Sequence, residues 1–334
     1  MTTALRMAQY GTKHGHAIGK IHAMLGNPAV ELAGVYEPDR ARRESLIQSG
    51  PPFDHIHWYQ EAGPMLDDPT ITAIASEGRN DESLAHSAAI IDAGKHLWYD
   101  KPAGDEWPVW QQIVARARDK SLKIQMGYMF RYHAGFARIG SWVHDGTLGR
   151  IFKIRAQMST NIGTAQREAI ATHSGGIFYD LAGHMLDQIV WLLGRPTRVQ
   201  GIFRHDDSPV AGFEDNTVAI LEFGRALAII DIAAMEARPA ARRFEVYGTA
   251  GSAIMEPFEP AGAIRLCLEA DQTGYAAGEQ RVAVEQQSRQ HLYELELAAF
   301  LATIDGRQAP DRTLEHELLV QETLLRIIGG RPEA

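Results

Sequence analysis

Leu5-Arg6-Met7-Ala8-Gln9-Tyr10-Gly11-Thr12-Lys13-His14-Gly15-His16-Ala17-Ile18-Gly19-Lys20 is the stretch on which the reading of the fold turns. Leu5 to Tyr10 has the make-up of a short strand, and Gly11 to His16 reads as a turn. Ala17 to Leu25 suits a helix that Gly26-Asn27-Pro28 stops. Val30 to Tyr36 reads as a second strand, ending at Glu37-Pro38-Asp39. Strand, glycine-containing turn, helix, strand and acidic residue follow in the order of a dinucleotide-binding unit. There the amides of the turn and of the helix N-terminus hold a pyrophosphate, and the carboxylate holds a ribose diol. The pattern G-x-G-x-x-G falls on Gly11, Lys13 and His16, so only its first glycine stands. Lys13 either supplies charge to the phosphates or obstructs them, and Gly15 offers the turn a glycine one position away. On its own, the segment suits a cofactor loop and a plain strand–helix connection equally well.

The alternation continues beyond this unit. Ile71 to Ser76 reads as a strand, Glu82 to Ala93 as a helix, Lys95 to Tyr99 as a strand, Trp107 to Lys120 as a helix and Leu122 to Gly127 as a strand. Strands and helices taken in turn build a parallel sheet with ligands at the carboxyl ends of its strands. Lys101, in Asp100-Lys101-Pro102, falls at such an end, where its charge can stabilise a developing oxyanion. His14 and His16, with His55 and His57, invite a metal reading. Alternate-residue histidines in a turn fix no coordination geometry, and no cysteine or carboxylate cluster sits beside them in sequence, so no metal is expected.

After residue 125 the pattern changes. A helix over Phe136 to His144 and a strand over Ile151 to Ser159 precede a second helix. Runs of strand type follow at Arg198 to Phe203, Thr217 to Phe223, Ala226 to Ala233, Arg243 to Gly248 and Ser252 to Met255. Short turns such as Phe223-Gly224-Arg225 suit hairpins and an antiparallel sheet. Helices over Gln290 to Ile304 and Leu314 to Ile328 close the chain. The expected organisation is an α/β domain over 1–125 and an α+β domain over 126–334, built on an open, mainly antiparallel sheet. One face of that sheet takes helices, and the other is apolar enough to serve a homodimer or homotetramer.

The second candidate for chemistry is Gly175-Gly176-Ile177-Phe178-Tyr179-Asp180-Leu181-Ala182-Gly183-His184-Met185-Leu186-Asp187. Leu181, Met185, Ile189 and Leu192 would form one helical stripe, while Asp180, His184 and Asp187 crowd a second face within about 60° of arc. An imidazole one turn from a carboxylate has the parts of an oriented general base. The same spacing also describes an amphipathic helix whose polar face meets water. The paired glycines let the chain approach something closely before the helix begins.

The chain has 334 residues, enough for two cores, with 45% hydrophobic and 22% charged residues. A net charge of −9 and the lack of a basic block make nucleic acid and anionic membrane unexpected partners. The single cysteine, Cys267, excludes an internal disulfide. It sits in the apolar run Ile264-Arg265-Leu266-Cys267-Leu268, where a buried thiol is expected. Met1 to Met7 lacks the apolar core and cleavage site of a leader, and no run reaches membrane-spanning length, so a cytoplasmic location is expected.

Several separate stretches together resemble the Gfo/Idh/MocA oxidoreductases. They are Ala93-Gly94-Lys95-His96 with Asp100-Lys101-Pro102, Gly127-Tyr128-Met129-Phe130-Arg131-Tyr132, and Gly175 to Asp187, which fits G-G-x-x-x-D-x-x-x-H-x-x-D. Glu214-Asp215-Asn216 and Val246-Tyr247-Gly248-Thr249-Ala250-Gly251-Ser252 add to the match. The resemblance implies a Rossmann dinucleotide-binding domain followed by an α+β domain whose sheet is often an oligomer interface. It also implies NAD or NADP as cofactor and a secondary alcohol of a sugar or inositol-like polyol as substrate.

Carried over by position, Lys101 resembles a lysine that contacts nicotinamide ribose and the substrate hydroxyl, and Asp180 with His184 resembles an acid–base pair. The cofactor would touch Gly11, Lys13, His14, Gly15, Glu37, Asn80, Asp100 and Lys101. Arg131, Tyr132, Asn161 and His173 are candidates for the polyol wall, although Arg131 also suits a structural role. Where relatives read T-P-N-x-x-H, this chain has Gly78-Arg79-Asn80-Asp81-Glu82-Ser83, keeping only the asparagine. Glu37 favours NAD, while Arg40, Arg42 and Arg43 offer a 2′-phosphate a partner. Two other activities share this fold: glycosidase or epimerase chemistry by transient oxidation, and a non-catalytic sugar- or dinucleotide-sensing regulator.

Overall fold

The first strand, β1 (Leu5–Tyr10), runs into a turn and α1 (Ala17–Gly26), and the chain returns along β2 (Val30–Tyr36) as the hydrophobic runs require. The computed structural model describes residues 4–329. The outermost residues of the two expected domains, 1–3 and 330–334, lie outside that range, as does the start of the segment read as leaderless. The chain continues through α2 (Arg40–Gln48), β3 (Trp58–Tyr59), α3 (Ala62–Leu66), β4 (Ala73–Ser76), α4 (Asn80–Asp92), β5 (His96–Tyr99), α5 (Trp107–Asp119) and β6 (Ile124–Met126). The six strands form one parallel sheet in the order β3-β2-β1-β4-β5-β6. Every residue of β4 and β6 is buried, as in a sheet covered on both faces. The strand order reverses between β1 and β4, which opens a crevice at their carboxyl ends beside Gly11 and Glu77.

A second sheet follows the helix α6 (Ala134–His144). It begins with β7 (Ile151–Gln157), is interrupted by α7 (Thr164–Ile170) and α8 (Gly176–Leu193), and continues with β8 (Arg198–Arg204), β9 (Asn216–Phe223), β10 (Ala226–Ala233), β11 (Arg243–Gly248), β12 (Gly251–Met255), β13 (Ala263–Leu268) and β14 (Gly278–Ala283). The order is β14-β13-β12-β11-β7-β10-β9-β8, antiparallel except where β10 meets β7. The α/β and α+β architectures expected from the sequence are both present. Strands β8 and β10 alternate in burial, and their outer face, with Phe152 and Ile220, leaves Ile202 and Leu227 exposed. The same alternation corrects the reading of Cys267. It points outward from β13 and is exposed, while Leu266 and Leu268 are buried.

The last helices are α9 (Arg289–Ile304) and α10 (Leu314–Ile327). The chain divides into two compact units, one reaching to Gly127 and joined by Arg289–Leu318, the other Tyr128–Ser288 with the chain from Leu319. Residues 289–318, placed by the sequence reading in the second domain, thus fold onto the first. Close packing holds them there: Gly19 of α1 lies under the Tyr293 ring of α9, where a Cβ would come within 2.5 Å of it, and Gln125 Nε2 donates to Glu296 O at 2.8 Å. Among the described residues, no helix is long and apolar enough to cross a membrane.

Candidate functional site

In the first unit, the turn after β1 is set by Gly11. Its φ is +84°, and a Cβ there would approach the Gly78 amide nitrogen to 2.8 Å. The close pass of Gly11 over the segment after β4 brings His14 N to Glu77 O at 3.0 Å. Asp100, at the end of β5, accepts from the Lys101 amide at 2.8 Å and sits 3.0 Å from His16 Nδ1 and 3.4 Å from His14 Nδ1. Gly127 leaves room for that carboxylate, since a Cβ would lie 2.6 Å from Asp100 Oδ1.

The centre of this cluster is Lys20, which the sequence reading passed over. Its side chain is wholly buried, 2.7 Å from Glu77 Oε1, 3.1 Å from Asp100 Oδ2 and 4.4 Å above the Trp98 ring. One signal was available, because a lysine on the buried face of α1, among Ala17, Ile21 and Met24, demands an anionic partner. Burial works against the Lys20 ammonium, but Asp100 and Glu77 outweigh it and hold it charged. Burial also works against the Asp100 carboxylate, yet His14, His16 and Lys20 hold it well below the usual range. Burial pushes Glu77 up against the pull of Lys20, pushes Glu296 up to about 8, and pulls His16 down to about 4. For His14, the nearby Asp100 and Glu77 overcome burial and raise its proton affinity.

His14, His16 and Asp100 bring potential ligand atoms within 4.8 Å of one another. The reading that no carboxylate cluster sits beside these histidines is therefore corrected for His14 and His16, because the strand ends deliver Asp100 and Glu77 from far along the chain. The countercharge of those carboxylates is the Lys20 ammonium, so the donor set already holds its cation. His55 and His57 take no part.

Around the turn, Thr12 donates to Glu37 Oε2 from both N and Oγ1 at 2.7 Å, and Lys13 Nζ meets Glu82 at 3.1 Å. The amides of Lys13 and Gly15 donate to no protein acceptor among the described residues. Those two amides beside the Lys13 ammonium are a donor set that fits a pyrophosphate. Asn80 opens α4, where the Arg79 amide donates to Glu82 Oε2 at 3.1 Å, so it lies on the segment that follows Gly78.

In the second unit, α8 is buried on nearly all sides rather than amphipathic. His184 and Asp187 are among its most buried residues, while Leu181 and Leu192 of the expected stripe are only half-buried. His184 lies edge-on to Phe130 with centroids 5.1 Å apart, and Tyr128 is 6.5 Å away. Asp180, one turn earlier, is half-buried. What the paired glycines approach is the chain itself. Gly176 has φ +48°, a Cβ there would collide with Glu214 O, and Ile177 N donates to that oxygen at 3.0 Å.

Each polyol candidate has its own surroundings. Arg131 is buried, grips Asp187 at 2.6 and 3.1 Å and lies 4.3 Å over Trp191, contacts that suit a structural role. Asn161 is exposed and bridges to Met235. His173 stacks on Tyr179 at 4.5 Å, and Tyr132 is half-buried at the end of a short 3-10 turn, Met129–Tyr132.

Comparison with known proteins adds the following. Residues 136–254 match the model of the GFO/IDH/MocA C-terminal domain. The uncharacterized oxidoreductase YdgJ of Escherichia coli is 26% identical over 265 residues, covering 78% of this chain and 73% of that protein. The 1,5-anhydro-D-fructose reductase of Ensifer adhaerens is 24% identical, covering 79% and 78%. A crystal structure of an oxidoreductase from Agrobacterium radiobacter, in complex with NAD+, L-tartaric acid and magnesium, superposes with a TM-score of 0.82 at 15% identity, over 98% of this chain and 96% of that one. At that identity the likeness is one of fold.

Proposed function

Because the chain belongs to the GFO/IDH/MocA family of oxidoreductases, we propose that it moves a hydride between a nicotinamide dinucleotide and a secondary alcohol carbon of a sugar or cyclic polyol. The observation that carries this reading is the end of β5, where the Asp100 carboxylate fixes the Lys101 amide beside a turn that retains free amides. The cofactor supplies the hydride chemistry. The turn from Gly11 to Gly15 takes the pyrophosphate on the Lys13 and Gly15 amides and the Lys13 ammonium. Asn80 and Asp100 line the same crevice.

In the proposed reaction Lys101 polarises the reacting oxygen. His184 takes the hydroxyl proton as the alcohol is oxidised, and Asp180 orients the imidazole and supports its charged form. Burial of His184 against Phe130 keeps bulk water from the proton it holds. The relative from Ensifer adhaerens, named for a sugar ketone, supports the substrate class. Tyr132 and His173 remain polyol candidates under this reading, and the outer face of the second sheet is proposed as the subunit interface of a homodimer or homotetramer.

A fluorescence titration with NADH and NADPH, run beside a panel of sugars and polyols, tests the reading. Quenching or enhancement on nucleotide addition, with turnover of at least one polyol, is the expected result. Binding of neither nucleotide would remove it.

A further inference from the structure

Glu37, the acidic residue that closes β2, is wholly buried and its carboxylate is already committed. Oε2 accepts from Thr12 N and Thr12 Oγ1, both at 2.7 Å, and Oε1 accepts from Asp39 N at 2.9 Å. Three of the roughly four acceptor positions of a carboxylate are thus spent inside the protein. A ribose diol, which must reach such a carboxylate from solvent, finds it enclosed.

The group that stands in its place is a guanidinium. The Thr12 hydroxyl gives its one proton to Glu37 and therefore accepts from Arg42 Nε, at 2.7 Å, while Arg42 Nη2 donates to Thr12 O at 2.5 Å. Arg42 is half-buried against the turn and pairs with no carboxylate among the described residues. Its neighbours are differently engaged. Arg43 turns inward to Glu37 O and Gln60, and Arg40 pairs with Glu44 on the surface. Lys13, next to Thr12, carries the second positive charge, and the acidic groups that face it are Glu82 at 3.1 Å and Asp39 at 3.7 Å.

We infer that Arg42 binds the 2′-phosphate of the adenosine ribose, so that the protein prefers NADP(H) to NAD(H). This rests on the dinucleotide reading of the proposed function and reverses the preference for NAD drawn from Glu37 in the sequence. Glu37 serves as a positioning residue, because its carboxylate holds Thr12 and Thr12 in turn docks Arg42. A planar guanidinium with an unspent Nη1 matches the oxygens of a phosphate.

The test is calorimetric titration of the protein with 2′,5′-ADP and with 5′-AMP, which differ only in the 2′-phosphate. The expected result is at least about tenfold tighter binding of 2′,5′-ADP, the factor a single charge-assisted bond supplies. Arg42→Gln should abolish that difference, and Arg42→Lys should restore part of it. Circular dichroism of each variant reports whether it is folded. Equal binding of the two nucleotides by the wild-type protein, or an Arg42→Gln variant that keeps the difference, overturns the assignment alone. Binding of neither nucleotide overturns both the assignment and the dinucleotide reading.

Discussion

The Lys20 ammonium and the Glu77 carboxylate meet at 2.7 Å with both side chains wholly buried, and Asp100 completes the group at 3.1 Å from the same nitrogen. A lysine on a helix that follows β1, a glutamate after β4 and an aspartate after β5 thus tie three strand ends of one sheet together. A buried charge left alone costs far more than the pair gains. Lys20→Met should therefore destabilise the protein by about 3–5 kcal/mol, because Glu77 and Asp100 lose their countercharge. Urea denaturation of the variant measures it, and an unchanged midpoint would contradict the pairing.

The carboxyl of Glu296 gives a pH prediction with a definite sign. Burial pushes it up to about 8 in the folded protein, whereas an unfolded chain releases that proton near pH 4.5. Between those values the folded state holds a proton that the unfolded state has lost. The contribution of Glu296 to stability is therefore full below about pH 4.5 and declines until about pH 8. Glu296→Gln should flatten the fall in Tm over this window relative to wild type. Asp100 acts in the opposite sense: its depressed affinity stabilises the fold above the unfolded carboxylate range and is lost as pH falls below it. Parallel Tm-against-pH profiles for wild type and Glu296→Gln decide the matter.

Arg131 and Asp187 form a bidentate pair inside the second unit, with Gln188 adding a bond to Asp187 Oδ2 at 3.1 Å. Arg131→Ala should cost about 3–5 kcal/mol in stability by removing the buried countercharge of Asp187. The double variant Arg131→Met, Asp187→Leu should recover most of that loss. A double-mutant cycle by chemical denaturation gives the coupling directly. If Arg131→Ala instead left stability intact and only raised KM for the polyol, the structural role given to Arg131 would be wrong.

Gly176→Ala should destabilise the protein by about 3 kcal/mol or more, because φ +48° disfavours a side chain and the new methyl would strike Glu214 O. Gly15→Ala makes the contrast, since nothing lies within 4 Å of a Cβ there. Its Tm should move by no more than a degree or so, well within the range of surface substitutions.

Much of this fold was legible because hydrophobic runs are punctuated by the residues that end them. β1, α1 and β2 are bounded by Gly11, Asn27 and Pro38, and β9 and β10 are separated by Gly224 and Arg225. The segments that were missed lack that contrast. α2 carries Arg40, Arg42, Arg43 and Glu44 and only a thin apolar face, and β14 alternates with few apolar residues to mark it. The return of α9 to the first unit is made by contacts between residues far apart in sequence, such as Tyr293 over Gly19, which no local pattern records. At the site, the positions of Asp100 and Lys101 at a strand end were readable. The Lys20–Glu77–Asp100 group was not, because its members are joined only through the strand order of the sheet.

The central claim is that Lys101 and His184 act on one alcohol, and it is tested most directly by single-turnover reduction of bound nucleotide with the best polyol from the panel. The account predicts that His184→Ala lowers the hydride-transfer rate by about 10²-fold or more, with nucleotide affinity unchanged. It predicts a comparable loss for Lys101→Met. A His184→Ala protein that reduces nucleotide at the wild-type rate would contradict it.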